Sequence, residues 1–289
     1  MDDIDTFASS EGAGQASNEA VGAEAASSGQ IFKEGKNEAL AVGVEPQGRL
    51  KIQNKHMPWA DAVKGLGIWV DKGLTFERQL AEMRVKSTAA LSTVAMAAEL
   101  CEMGWDDYVR VVPQRVEAKA LHGQEIVIAN EGASGKLNAM QREWGAAIFG
   151  LYPGGPLYTE VAGWKLMVEL GWKGRQHQRA AIKAIMVEER AWMANWETLA
   201  EVLRISGNGV GCWRHAVQKV RERYAVPPRQ GPEGGSGATP GAIRYHLKKY
   251  RVEEVEPRVY AEAERELQQE RSKPDNALYN ALHPGSGGR

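Results

Sequence analysis

The sequence predicts an α+β protein that is predominantly α-helical, with a small antiparallel β meander ahead of a helical bundle. Two observations support this class. Apolar residues alternate with a period of two near residue 50, and from residue 75 onward they recur at three- and four-residue spacing. Glycine- and proline-rich breaks then separate the helical stretches. A chain of 289 residues is long enough for one or two domains with a buried core.

Residues 1–36 differ in composition from the rest of the chain. They contain seven acidic and two basic side chains, so this segment carries a charge near −5, whereas the whole chain carries −1. Large apolar side chains are few here, and burial cannot then offset the entropy lost on ordering. We therefore predict a disordered acidic segment over 1–36 and a mildly basic body, which suits a polyanionic partner.

Residues 37–72 carry the β signals. In the clearest segment, Leu50 and Ile52 alternate with polar neighbours, as in a half-buried strand. The predicted strands of the meander are Glu38–Val44, Arg49–Gln53 and Leu66–Val70.

Residues 73–225 are predicted to form the helical bundle. The first helix follows Thr75 and has an apolar stripe made of Leu80, Met83, Ser87, Ala90, Leu91, Val94, Ala98 and Cys101. The later helices are predicted over Trp105–Val127 with a bend near Pro113, Lys136–Phe149, 157–170, Gln176–Met193, Glu197–Ile205 and Cys212–Tyr224. Residues 226–242 are a predicted flexible linker, and 243–289 a charged helix over Ile243–Gln269 with a disordered tail.

Several short motifs occur in a distinctive order across residues 37–225. They are Gly67-Ile68-Trp69-Val70-Asp71 with Leu74-Thr75-Phe76, then Ala120-Leu121-His122-Gly123-Gln124-Glu125, Leu137-Asn138-Ala139-Met140-Gln141-Arg142 with Ile148-Phe149-Gly150, and Glu169-Leu170-Gly171-Trp172. Together they resemble non-LTR retrotransposon (LINE-type) reverse transcriptases, from the last palm strands through the helical thumb. The pattern departs from that family at Gly65, because a tyrosine commonly precedes the leucine of the first motif there.

The resemblance implies an RNA-directed DNA polymerase ancestry, but the chemistry of that family depends on palm aspartates that hold two metal ions. No aromatic-x-Asp-Asp hairpin is found in the sequence. The similar run Trp105-Asp106-Asp107-Tyr108 follows a helix stop at Gly104, so we predict that its acidic pair begins a helix. The expectation is a fragment or remnant that binds nucleic acid and does not polymerise by itself. We therefore assign no catalytic, cofactor-binding or metal-binding residue; Mg²⁺ would belong to the palm.

Other motifs do not indicate chemistry. The glycine-rich run 207–211 has neither a preceding strand nor a Lys-Ser/Thr ending, so we interpret it as a loop. Cys101 and Cys212 are predicted to be buried free thiols in a reducing compartment. His177 and His215 are predicted to lie at the surface. No secretory signal or membrane-length apolar run is found, so we expect an intracellular protein, nuclear or cytoplasmic.

Two basic patches are the candidate nucleic-acid contacts, because Lys and Arg neutralise phosphates irrespective of sequence. The candidate residues are Lys72, Arg78, Arg84, Lys86, Lys173, Arg175, Arg179 and Lys183. The alternative interpretation of these residues is a solvated helix face that binds no ligand. The tryptophans Trp164, Trp172, Trp192, Trp196 and Trp213 could stack on bases, although helical spacing favours a place in the core.

The predicted partner is an RNA–DNA hybrid or another nucleic acid. Two alternatives stay open at this stage. One is a helical scaffold or protein-interaction module with no nucleic-acid role, and the other is a truncated gene product without function. The sequence leaves the oligomeric state open.

Overall fold

The computed structural model describes residues 6, 8, 10–33, 36–65, 67–120, 122–128, 130, 132–151, 153, 155–193, 213–228 and 239–282. The predicted fold class, α+β and predominantly α-helical, is confirmed. The chain forms two compact units, Met1–Glu82 and Met83–Arg289. The predicted helix Glu197–Ile205, the glycine-rich run 207–211, Cys212 and most of the predicted linker lie outside the described residues.

The first unit contains two separate antiparallel hairpins rather than one meander. The strands are β1 (Lys51–Ile52), β2 (Lys55–His56), β3 (Ala62–Gly65) and β4 (Ile68–Asp71). Gln53 and Asn54 turn the first hairpin with φ of 45° and 62°, the left-handed geometry that suits a tight two-residue turn. Pro58 follows β2 and lacks the N–H that a continuous ladder needs. The predicted strand Glu38–Val44 contributes only a bridge from Ala39 to Trp59.

The acidic segment predicted to be disordered contains a helix, α1 (Glu11–Ser27), capped by the Ser10 side chain. Small residues let its backbone approach β1, because a Cβ added at Gly22 would lie 3.3 Å from the backbone nitrogen of Gln53. The Gln15 amide extends this contact: it accepts from the Lys51 N–H at 2.9 Å and donates to the Lys51 carbonyl at 3.3 Å. Close backbone approach and side-chain hydrogen bonds replace the large apolar residues that the composition lacks.

A loop ordered by Asp71 leads into the first long helix. The Asp71 carboxylate accepts hydrogen bonds from the backbone N–H groups of Gly73, Thr75 and Phe76 at 3.1, 2.9 and 2.6 Å. Partial burial raises the pKa of Asp71, but the bonds from Thr75 and Phe76 outweigh it and hold the pKa below its usual value. The carboxylate thus fixes the loop that follows the Gly67-Ile68-Trp69-Val70-Asp71 run.

Helices make up the rest of the described chain. They are α2 (Glu77–Leu100), α3 (Trp105–Val112), α4 (Ala118–Ala120), α5 (Gln124–Val127), α6 (Ala133–Ile148), α7 (Pro156–Glu160), α8 (Gly163–Glu169), α9 (Gln176–Met193), α10 (Trp213–Arg223), α11 (Pro240–Tyr250), α12 (Glu256–Arg271) and α13 (Ala277–Leu282). π-helical turns join α3 to α4 at Pro113–Glu117 and α11 to α12 at Arg251–Val255, and Pro274–Asn276 is a 3₁₀ turn.

The predicted helix Trp105–Val127 is therefore broken. It begins at Trp105 with Asp106 and Asp107 in the first turn, as predicted, but the π-helical turn at Pro113 interrupts it. Gly123, with φ of 85°, then separates α4 from α5. The predicted helix 157–170 is likewise divided, because Val161 adopts an extended conformation after α7.

The core of the second unit forms around α9, which begins and ends where predicted. Its Ala180, Ala184 and Ile185 are fully buried, and α5, α6, α10, α11 and α12 all pack against it. The apolar stripe of α2 is buried from Leu80 through Val94. Cys101 is exposed, so the prediction that it is buried is wrong: the buried part of the stripe ends at Val94, and the end of the helix is in solvent, with Leu100 81% exposed.

The polar residue in the α2 stripe has a specific partner. Ser87 is fully buried, and its hydroxyl accepts a hydrogen bond from the Trp144 indole of α6 at 3.0 Å. A buried hydroxyl without a partner destabilises a core, so this bond accounts for serine at that position. The predicted α6 face of Leu137, Met140, Trp144 and Ile148 is buried as expected.

A buried ion network joins three helices of the second unit. Arg221 of α10 donates to Glu188 at 2.8 Å and to Glu189 at 2.6 Å, both on α9. It also donates to the hydroxyl of Tyr250 on α11 at 2.9 Å. Because Arg221 is only 5% exposed, its charge is stabilised by these partners rather than by water.

Candidate nucleic-acid interface

Three of the predicted basic residues, one just before α9 and two on it, form a row of ion pairs. Arg175, Arg179 and Lys183 follow one another at four-residue spacing, which places them on the same side of the helix. Lys183 pairs with Glu125 of α5 at 2.8 Å, Arg179 pairs with Glu117 of the π-helical turn, and Arg175 pairs with Glu266 of α12 at 3.4 Å. The row therefore joins three neighbouring elements to α9.

The Arg179–Glu117 pair is the most enclosed of the three, with side chains 20% and 10% exposed. Burial raises the pKa of Glu117, and the guanidinium of Arg179 opposes that rise. A phosphate could reach Arg179 only by displacing a carboxylate held inside the protein. We therefore expect Arg179 to stabilise the bundle rather than to contact a ligand.

The N-terminus of α9 is already occupied by side chains of α6. The Gln141 amide oxygen accepts the Gln176 N–H at 2.8 Å, and the Asn138 oxygen accepts the His177 N–H at 3.2 Å. The Asn138 oxygen also lies 3.0 Å from Nδ1 of His177. A helix N-terminus attracts anions through such free N–H groups, so this one offers no phosphate site.

His177 is 7% exposed, and the prediction that it lies at the surface is wrong. It follows directly on Gln176 in the first turn of α9, where α6 covers it through Asn138. Burial, with the charges of Arg223 and Arg175, lowers the pKa of His177 to about 4. The imidazole is therefore neutral at physiological pH, with Nδ1 donating to Asn138.

A second group of cations surrounds a single carboxylate. Glu266 lies 3.4 Å from Arg175 and 3.3 Å from Arg223, so two guanidinium groups share one acidic side chain. Lys173 lies two residues before Arg175, is exposed, and forms no ion pair with a described residue. We call Lys173, Arg175, Arg223 and Glu266 the Glu266 patch. The patch contains three cations and one anion, so it carries net positive charge.

In the first unit, the predicted residues Lys72 and Arg78 are engaged locally. The Lys72 ammonium lies 3.0 Å from Asp61 at the surface, and that hydrogen bond raises the pKa of Lys72. The Arg78 guanidinium stacks on the indole of Trp69, 3.3 Å from the ring centre. Both residues line an open cleft of about 670 Å³ with Asp61, Asp71 and Glu77. These carboxylates oppose phosphate binding in the cleft.

The remaining predicted residues lie on α2. Arg84 forms a bidentate pair with Glu143 of α6 at 2.7 and 2.8 Å, while its side chain stays 59% exposed. Lys86 is exposed, and its side chain also interacts with another group of the protein. Of the predicted residues, Arg175 is thus brought to Arg223 through Glu266, while Lys72, Arg78 and Arg84 each have a separate local partner.

The tryptophans divide between core and surface. Trp164 and Trp172 are 7% and 8% exposed, as the core interpretation expects. Trp192 is 40% exposed, and the Arg214 guanidinium lies 5.3 Å from its ring. Trp213 is half-buried and its indole donates to the Glu125 carbonyl, and Trp196 lies outside the described residues.

Two further basic features are not among the predicted contacts. Arg223 is separated from Arg175 by about fifty residues, and only the packing of α10 and α12 on α9 brings the two to Glu266. The second candidate is the outer face of α11, which is described below. The sequence does indicate this face, since residues 240–250 contain basic residues and no acidic one.

Over the part of the chain that the structure describes, no group of three or more His, Cys, Asp or Glu side chains is arranged to hold a metal ion. None of the described helices combines the length and apolar character that crossing a bilayer requires. No protein-family model matches the chain, and neither a curated protein nor a solved structure is significantly similar to it.

Proposed function

We propose that this chain binds the sugar–phosphate backbone of nucleic acid without sequence preference, and that it does so as a relative of the reverse-transcriptase thumb with no polymerase activity of its own. The observation that carries the proposal is the Glu266 patch, where Arg175 and Arg223 share one carboxylate and the exposed Lys173 lies two residues before Arg175. Excess positive charge of this kind attracts phosphates and releases their counterions. The order in which the reverse-transcriptase-like motifs occur along residues 37–225 supports the choice of an RNA–DNA hybrid as the first ligand to test.

The test is fluorescence anisotropy with a labelled RNA–DNA hybrid over a range of salt concentrations. We expect affinity to fall steeply as salt rises, with the slope reduced by roughly one for each phosphate contact removed. Lys173→Glu, Arg175→Glu and Arg223→Glu in one variant should lower the affinity at least tenfold at low salt. A matched variant reverses three exposed cations on other elements, Arg110, Arg115 and Lys119, and should bind nearly as well as the wild type.

A substitution at Glu266 should change the affinity for the hybrid in the opposite direction. Its carboxylate competes with phosphate for Arg175 and Arg223, so Glu266→Gln should strengthen hybrid binding, by roughly two- to fivefold for one screened charge near the ligand. A general loss of folding would weaken binding instead. If the wild type fails to bind the hybrid even at low salt, or if both triple variants lose affinity equally, the proposal is refuted.

A second candidate function, protein interaction by a helical scaffold, is favoured by one surface feature. Trp105 and Phe149 are 49% and 38% exposed and lie with ring centres 5.4 Å apart. Tyr108 adds a third ring, 6.1 Å from Trp105. Paired exposed aromatics are common at protein interfaces. This candidate gains if no nucleic acid binds, and a Trp105→Ser/Phe149→Ser variant should then lose the interaction without loss of fold.

A further inference from the structure

Helix α11 presents an unusually basic outer face. Of its eleven residues none is acidic, whereas Arg244, His246, Lys248 and Lys249 are all exposed. Tyr245 stands among them with 65% of its surface exposed. The opposite face carries Tyr250, which is buried, and Ile243 and Leu247, which are half-buried. The helix is thus held to the bundle by its apolar side, and its cationic side faces outward.

Structural needs do not account for these cations. Lysines near the end of a helix often stabilise the last carbonyl groups, but α11 continues through Arg251–Val255 into α12 without a free C-terminus. Among the described residues, the acidic partner found along this face is Glu253, 3.9 Å from Lys249. Among the described residues, Arg244 and Lys248 have no ion pair at all.

The neighbouring helix shows what a solvated charged surface looks like in this protein. Arg258 of α12 pairs with Glu254 of the preceding π-helical turn at 2.5 Å, and Arg265 pairs with Glu262 at 2.6 Å. These pairs balance charge locally, as exposed helices commonly do. Helix α11 contains no acidic residue, and only its last cation, Lys249, has a carboxylate partner among the described residues, so the charges of Arg244 and Lys248 are available to a ligand from outside.

We propose that the outer face of α11 binds single-stranded nucleic acid, with Arg244 and Lys248 on neighbouring phosphates and Tyr245 stacked on a base. Residues four apart on a helix are separated by about 6 Å along its axis, close to the spacing of successive phosphates on one strand. The aromatic ring favours a single strand, because stacking needs a base that is free of its pair. This inference goes beyond the function proposed above, since it involves another helix and another form of nucleic acid.

The experiment measures binding of a fluorescent oligothymidylate of about fifteen nucleotides. Tyr245→Ala should weaken binding roughly tenfold through lost stacking, whereas Tyr245→Phe keeps the ring and should bind like the wild type. Arg244→Glu with Lys248→Glu should weaken binding and lower the salt slope by about two. Because all three side chains are exposed, circular dichroism should show that the variants remain folded.

The two proposals can fail separately. A Lys173→Glu/Arg175→Glu/Arg223→Glu variant should keep most of its oligothymidylate affinity, and the α11 variants should keep hybrid binding. The α11 proposal is overturned if Tyr245→Ala and Tyr245→Phe bind equally well, or if charge reversal on α11 changes nothing. Binding to vesicles containing phosphatidylserine but not to the oligonucleotide would also overturn it, since the face would then be membrane-binding.

Discussion

The two compact units of this chain stabilise their helices by different means. In the first unit, α1 lies against β1 through glycine contacts and the side-chain amides of Gln15 and Gln53, with few large apolar groups. In the second, α9 is surrounded by helices and buries Ala180, Ala184 and Ile185 completely. Hydrogen bonds exchanged with water contribute little net free energy each, whereas buried apolar area contributes steadily. We therefore expect the second unit to resist unfolding much better than α1.

The largest expected effect is at the ion network of the second unit. Arg221→Ala would leave Glu188 and Glu189 buried without their partner, and should reduce the free energy of unfolding by about 3–5 kcal/mol. Arg223→Ala, two residues away and 53% exposed, is the matched control and should change it by less than about 1 kcal/mol. Urea unfolding followed by circular dichroism measures both. Equal effects would show that the network is not a determinant of stability.

The next effect concerns the apolar core around α9. Ile185→Ala removes a fully buried side chain and should destabilise the second unit by about 2–4 kcal/mol, because a cavity is left behind. Val85→Ala removes a side chain that is 69% exposed, and should stay within about 0.5 kcal/mol of the wild type. A similar loss for both variants would contradict the core assignment.

The pH dependence of stability should report on His177. Its pKa is about 4 in the folded protein and near the ordinary value of 6.5 in the unfolded chain. Between these values the unfolded state binds the extra proton, so stability declines as pH falls from about 6.5 towards 4, by roughly 3 kcal/mol. Unfolding in urea at several pH values measures the slope. His177→Gln should flatten it, and an unchanged slope would assign the effect to other groups.

The smallest expected effect on stability is at two glycines of α1. A Cβ at Gly12 meets nothing within 4 Å, so Gly12→Ala should stabilise α1 by up to about 1 kcal/mol through helix propensity. At Gly22 the same change crowds the Gln53 backbone at 3.3 Å and should cancel that gain or reverse it. Hydrogen exchange of the amides in residues 11–27 distinguishes the two. Equal protection in both variants would argue against close packing of α1 on β1.

Much of the helical bundle could be predicted because its signal is local. The boundaries of α9 and the buried faces of α2 and α6 follow from the spacing of apolar residues along one helix. Helix α1 could not be predicted in this way, since its stabilising contacts join residues more than thirty positions apart. The arrangement of the basic residues could not be predicted for the same reason. Their number is visible in the sequence, but the acidic partners of Arg179 and Lys183 are set by packing.

The long-range contacts of α1 have a consequence for how the chain is made. Glu11 bonds to Gln47, Gln15 to Lys51, and Asn18 to Met57, with separations of 36, 36 and 39 residues. During synthesis, the N-terminal segment leaves the ribosome well before any of these partners. It should therefore stay open to proteases until the first hairpin has emerged, and then gain protection in a single late step.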